Sequence, residues 1–146
     1  MGVLNIITEP NELLRKTSKT IMVFDTRLHE LLDDMAKTMV HNGGIGLAGV
    51  QVGVLYRICV VDTERGIVEL INPEIISSKK VKKGEEGCIS VPNQRGIVER
   101  AHEVVVRAQN RNGKTFEHKF TGIDAVCVAH EIDHMDGILY FDRIKS

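Results

Sequence analysis

Apolar residues recur at helical spacing over 25–42 (DTRLHELLDDMAKTMVHN), where Leu28, Leu31, Leu32, Met35 and Met39 form one stripe. Asp25 or Thr26 can cap the start of this helix, and Gly43 offers a left-handed stop at its end. The stripe is the packing face of a core helix and needs no cofactor to explain it. The pattern then changes. Between Gly43 and Gly53 there are five glycines in eleven residues, which signals backbone freedom or close approach. YRICVVD (56–62) and GIVELIN (66–72) flank Thr63-Glu64-Arg65 and read as a hairpin. EVVVRAQ (103–109) and KTFEHKF (114–120) flank Asn110-Arg111-Asn112-Gly113, where Asn-Gly predicts a type I′ turn.

Near the end of the chain the period returns to helical. Thr121-Gly122-Ile123-Asp124 resembles a capping box, and a helix runs from it through Ile123, Val126, Cys127, His130 and His134. Its apolar face is also its histidine face, so a metal held there would sit against the core. Gly137 ends the helix, and ILYFD reads as a last strand. The sum predicts an α+β fold of mostly antiparallel strands packed around a central metal-binding HExxH helix, with 1–146 as a single catalytic domain.

Composition narrows the class without choosing a function. A chain of 146 residues, 42% hydrophobic and 27% charged, is ordinary for a globular protein that buries roughly two thirds of its unfolded surface. A net charge of −1 gives no overall footprint for direct nucleic-acid binding. Lys79, Lys80, Lys82 and Lys83 form a local basic run, but Glu85 and Glu86 follow at once, and a solvated strand and loop accounts for it. Three cysteines suggest no disulfide framework, and MGVLNIITEPNELLRK lacks the basic start and apolar core of a signal peptide. No apolar run approaches the roughly 20 residues of a membrane span. A cytoplasmic protein with reduced thiols is the expectation.

The chemistry concentrates at residues 130–134, His-Glu-Ile-Asp-His. In a helix His130 and His134 project from one face a turn apart and can share one metal ion. Glu131, about 100° round the axis from His130, is the carboxylate that metal hydrolases of this pattern use as general base. Only 12 residues follow His134, so the third ligand is expected upstream. Cys127 lies about 10 Å from His134 along a helix axis, too far to close a site that also includes His130, and reads as an apolar wall residue. Cys59, in the Ile-Cys-Val-Val run, reads as a buried structural thiol. Cys88, between Gly87 and a short β-prone segment, can approach a helix face as a thiolate. His29, His41, His102 and His118 read as surface residues. Asp133, off the metal face, is expected to pair with Arg100 on a neighbouring strand. A His₂Cys set with a fourth position for water suits zinc or iron and does not choose between them.

Three segments together resemble the peptide deformylase family. GIGLAGVQ (44–51) is similar to that family's G-φ-G-φ-A-A-x-Q, EGCIS (86–90) matches E-G-C-φ-S, and HEIDH (130–134) matches H-E-φ-D-H. The resemblance implies removal of the N-formyl group from formyl-methionyl nascent peptides, with Cys88, His130 and His134 as ligands of one divalent metal. It implies Fe²⁺ physiologically, replaceable by Zn²⁺, Ni²⁺ or Co²⁺ in a purified protein. It assigns Glu131 the proton transfers, and the Gln51 amide and Ile89 backbone N–H the stabilisation of the formyl oxyanion. Gly44 and Gly46 would let the substrate backbone lie close. Ile45, Ile89, Ile123, Val126 and Cys127 would line a methionine slot, while Arg95 holds the peptide chain and Glu86 belongs to the substrate-binding set. No membrane partner is implied. A transient ribosome contact is, although the basic C-terminal helix that some members carry is missing from this sequence. Gly49, where the family pattern has a second Ala, is expected to add flexibility before Gln51, and Ala129 stands where many members have Gln. Two alternatives remain: a deformylase-like protein with altered or lost activity, and a HExxH metalloprotease. For the latter, HEIDHMDG fits H-E-x-x-H-x-x-G, but Tyr140 occupies the place of its third histidine.

Overall fold

The computed structural model describes residues 2–144. Five antiparallel strands pair in chain order: β1 (Gly46–Ala48), β2 (Ile58–Thr63), β3 (Gly66–Cys88), β4 (Val91–Gln109) and β5 (Thr115–Thr121). Helix α1 (Thr26–His41) packs on one side of this sheet and helix α2 (Gly122–Met135) on the other. The α+β expectation holds as an antiparallel sheet with two helices. Among the described residues, no helix is long and apolar enough to cross a membrane.

The reason for two-sided packing is written in β2. Ile58 and Val60 join Leu28, Leu32, Met35 and Met39 of α1, while Cys59 and Val61 join Ala125, Val128, Ile132 and Met135 of α2. A strand covered on both faces has no polar side, hence its unbroken apolar run. Each such side chain contributes about 1.5–3 kcal/mol when fully buried. Helix α1 starts as expected, with the Asp25 carboxylate accepting from the Leu28 N–H, and it stops at Gly43 with φ 68°.

The hairpins stand where the flanking segments and turn residues placed them, but the second turn differs in type. Gly113 is left-handed (φ 84°), whereas Asn112 is not among the residues with positive φ. A type I′ turn needs both. The N–H of Gly113 donates to the Asn110 carbonyl, and the Asn110 side chain accepts from Asn112 and Lys114, the pattern of a type I turn closed by a glycine bulge. The Lys79–Lys83 run lies on exposed parts of β3, with Lys80 3.4 Å from Glu103.

Two further expectations fail. Thr121 precedes α2 but makes no side-chain cap. It still pairs with Glu103 in the sheet, and Gly122 turns the chain at φ 60°, so the hydroxyl does not reach the first turn. The segment ILYFD is not a strand: Tyr140–Arg143 is a 3₁₀ turn. Gly137, left-handed at φ 74°, closes α2 while the Ile138 N–H bonds back to the Asp133 carbonyl. Asp142 then accepts from the Leu139 N–H at 3.0 Å, curling the segment before it can extend. Among the described residues of this end, Ile144 alone bridges to β4, at Val98. A second 3₁₀ turn, Glu12–Arg15, carried no sequence signal beyond its Asn11 cap.

Gly137 also lets the N-terminal segment in, because a Cβ there would collide with the backbone carbonyl of Arg15. Gly137→Ala combines that overlap with a left-handed backbone and should lose about 2 kcal/mol or more of stability, read as a lower urea midpoint. An unchanged midpoint would contradict the packing described.

Candidate functional site

A cleft of about 770 Å³ opens between the 42–46 loop, the β3–β4 turn and α2. The residues singled out from sequence converge on it. Gly44, Ile45, Gly46, Gln51, Glu86, Cys88, Ile89, Arg95, Ile123, Val126, Cys127, His130 and Glu131 all contribute to its wall. His134 is buried behind them.

Cys88 ends β3, just after a register shift that follows Glu86, and a two-residue turn (Ile89-Ser90) leads into β4. The thiol thereby reaches the face of α2. Its Sγ lies 3.4 Å from His134 Nε2, and ligand atoms of Cys88, His130 and His134 all fall within 4.8 Å of one another. Such a cluster can hold one metal ion.

Electrostatics favours a cation at this point. Burial draws His130 toward its neutral form, but hydrogen bonds to Cys88 and Glu86 and the nearby Glu131 charge outweigh it and raise its pKa to about 10. Surroundings that hold a proton so firmly offer the same negative field to a metal ion. His134 is pushed down to about 3 by burial, then by the positive charges of His130 and Arg100, so it offers a neutral imidazole of the kind that can ligate a metal. The Nδ1 of His130 lies 3.0 Å from Glu86 Oε1, which leaves its other nitrogen for the cluster. Glu86 is buried, yet hydrogen bonds from His130 and Arg100 overcome that cost and hold its carboxyl at about 2. The residues present therefore fit a divalent cation.

Glu131 is almost fully enclosed. Burial pushes its pKa up to about 7, and among the described residues its Oε1 is buried with no hydrogen-bond partner. An orphaned carboxylate oxygen inside a cleft is costly unless something else fills its lone pairs. Its position depends on β1. A Cβ on Gly46 would lie 2.6 Å from both Glu131 Oε2 and Cys127 Sγ, so Gly46 admits the carboxylate against the strand. This contact, and not only room for substrate, accounts for that glycine.

Gln51 sits in the 3₁₀ turn Gly49–Val52 with its amide orientation set by the backbone. Oε1 accepts from the Ala48 N–H at 2.9 Å, which turns Nε2 toward Ser90 Oγ (3.1 Å) and Cys88 Sγ (3.5 Å). Gly49, expected to loosen this turn, is buried, and a Cβ there would come within 2.8 Å of the Val54 carbonyl oxygen. The turn is packed, not loose.

The expected Asp133–Arg100 pair is present at 2.6 Å, and it extends further than foreseen. Arg100 also holds both oxygens of Glu86, at 2.8 and 3.1 Å, and Arg143 holds both oxygens of Asp133. Glu86, expected among the substrate contacts, has its carboxylate turned to His130 and Arg100. Arg95 is exposed at the cleft and ion-paired with Glu85. Ile45 and Ile123 are 51% and 63% exposed, so both are apolar rim and not core. Cys127 is buried and donates to the Ile45 carbonyl at 3.4 Å, and Cys59 is fully buried. His41 is exposed, His102 and His118 are half-buried, and His29 is half-buried with its ring nitrogen donating to the Arg111 carbonyl at 2.7 Å. Tyr140 is buried, its ring stacked on His130 with centroids 6.3 Å apart. Sequence reasoning missed Ser90, Tyr140 and Arg143; only Ser90 had a signal, its place inside EGCIS.

Known proteins agree with this geometry. The family model for polypeptide deformylase matches residues 3–146. The peptide deformylase of Caldicellulosiruptor bescii is 50% identical over 144 residues, which is 99% of this chain and 87% of that protein. The crystal structure of peptide deformylase from Thermotoga maritima superposes with a TM-score of 0.96 at 36% identity, covering 99% of each chain. A Met-Ala-Ser-bound class I type b peptide deformylase from Acinetobacter baumannii gives 0.91 at 34% identity, covering 97% of this chain and 98% of that one. With its match running nearly end to end, the chain belongs to the polypeptide deformylase family.

Proposed function

We propose that this enzyme, which removes the N-formyl group from nascent peptides, does so with Cys88, His130 and His134 holding one divalent metal and Glu131 moving the protons. The observation that carries the reading is the buried Glu131 oxygen, without a partner among the described residues, beside that Cys/His/His cluster. A divalent ion bound there would supply a Lewis acid that makes water reactive near neutral pH. Fe²⁺ is the physiological ion on this reading, with Zn²⁺, Ni²⁺ or Co²⁺ able to replace it, as suits a mixed imidazole and thiolate set.

The protein's own groups divide the remaining work. Glu131 accepts the proton of the attacking water at its free oxygen and delivers it to the nitrogen of the departing peptide. Its pKa near 7 matches both halves of that task. Gln51 Nε2 and the Ile89 N–H donate to the formyl oxygen as charge builds on it, each worth about 3–4 kcal/mol where such donors have been removed elsewhere. The Ala48 N–H orients the Gln51 amide in advance. Glu86 fixes the tautomer of His130 and does not contact substrate. Ile45, Ile89, Ile123, Val126 and Cys127 receive the methionine side chain, and the peptide covers the exposed faces of Ile45 and Ile123. Gly44 and Gly46 admit the substrate backbone, and Arg95 holds the chain beyond. The Met-Ala-Ser bound to the Acinetobacter relative supports a peptide that begins with methionine as the occupant of the cleft. Residues 1–146 act as one catalytic domain in the cytoplasm, and the substrate class supports a transient ribosome contact.

Glu131→Gln should lower turnover of formyl-Met-Ala-Ser by about a hundredfold to ten-thousandfold while the metal content, measured by mass spectrometry, is unchanged. Turnover near wild type would remove Glu131 from the mechanism. Cleavage of an unformylated internal peptide bond would favour the protease, and no turnover with any metal would favour an inactive relative. Metal removal gives a second test. The ligands bind as thiolate and neutral imidazole, so protons compete with the ion and affinity falls as pH falls. Because His130 holds its proton up to about pH 10, loss of bound metal should deepen steadily as pH is lowered from there and abolish activity, with recovery on adding the metal back at the higher pH. Affinity independent of pH would contradict the ligand set.

A further inference from the structure

The turn Tyr140–Arg143 reaches His130 along two separate routes. Tyr140, buried, lays its ring nearly parallel to the imidazole, with planes 18° apart. Arg143 acts at a distance, through charge. Its Nη2 donates to Asp133 Oδ1 at 2.9 Å and its Nε to Oδ2 at 2.6 Å. Oδ2 also receives Arg100 Nη1 at 2.6 Å. Arg100 turns its other two nitrogens, Nε and Nη2, to Glu86, and Glu86 Oε1 meets His130 Nδ1. The turn is itself anchored, since Asp142 pairs with Arg15 and Ile144 bridges to Val98.

The charge count explains why a half-exposed arginine matters here. Arg143 and Arg100 balance Asp133 and Glu86, so the buried chain is neutral. Without Arg143, Arg100 is the one arginine left to serve both Asp133 and Glu86. It is then drawn toward Asp133, and its two-pronged hold on Glu86 weakens. Glu86 is the acceptor that keeps Nδ1 of His130 in place, so the imidazole gains freedom about its ring axis.

We propose that the Tyr140–Arg143 turn braces His130, with Arg143 a positioning residue that acts through Asp133, Arg100 and Glu86. The proposal rests on the Cys88–His130–His134 centre. An ordinary surface ion pair in this position would leave metal binding untouched.

The test uses the full chain loaded with Co²⁺, as wild type, Arg143→Met and Arg143→Lys. Release of cobalt into excess chelator is followed by its absorption, and the urea midpoint of each metal-free protein is measured alongside. Arg143→Met should release cobalt about tenfold faster, a size typical of lost outer-shell support. Arg143→Lys, which restores the charge, should recover most of that loss, and the metal-free midpoints of the two variants should agree. Release from Arg143→Met within twofold of wild type overturns the brace. So does a faster release that lysine fails to rescue and that follows a fall in the metal-free midpoint. A wild type that takes up no cobalt overturns the metal centre itself, whereas one that loads normally and differs in no variant overturns the brace alone.

Discussion

Of the five consecutive positions 130–134 in α2, four are ionisable or metal-seeking, namely His130, Glu131, Asp133 and His134, and they are buried together, so the sheet must supply partners for them. Taking charges out of water costs several kcal/mol per ion unless geometry and hydrogen bonds compensate. Arg100, itself only 6% exposed, does most of this from β4 by gripping Glu86 and Asp133 at once. Burial opposes its charge, but those two carboxylates more than compensate and raise its pKa. The position of α2 against β3 and β4 is thus specified by charge as well as by apolar area. An apolar helix could slide or rotate, but a helix whose Asp133 must meet Arg100 has little freedom to do either.

Much of this was legible in the sequence, for identifiable reasons. Helix α1 carries a clean stripe, a cap and a glycine stop, all local signals. Both hairpins announced themselves by β-prone segments on either side of a polar turn. The gathering of Cys88, His130 and His134 was legible because a HExxH helix needs a third donor and the other two cysteines were poor candidates. What failed depended on tertiary context. ILYFD has strand composition, but the Gly137 turn and the Asp142 carboxylate curl it. Asn112-Gly113 has the composition of a type I′ turn, yet the Asn110 side chain stabilises a longer loop. Thr121 looks like a cap, but the sheet claims it first. The role of Glu86 could not be read at all, because nothing local tells a carboxylate facing substrate from one facing a histidine.

The groups proposed to act on substrate owe their orientation to backbone more than to one another. A main-chain N–H selects the face that Gln51 presents, and a missing side chain at Gly46 admits Glu131. Both features belong to the short segment from β1 into the following 3₁₀ turn, which is held between α2 and β2. Preorganisation of this kind lets donors and acceptors meet developing charge without first rearranging.

Strand β2 is the shared wall between the two packed halves, and its alternation has a mechanical reading. Val60 touches only the α1 compartment and Val61 only the α2 compartment, although they are neighbours in the chain. A disturbance on the α1 side therefore has two ways to the cleft, through the backbone of this one strand or through Ile89, which packs against the α1 cluster and also lines the cleft wall.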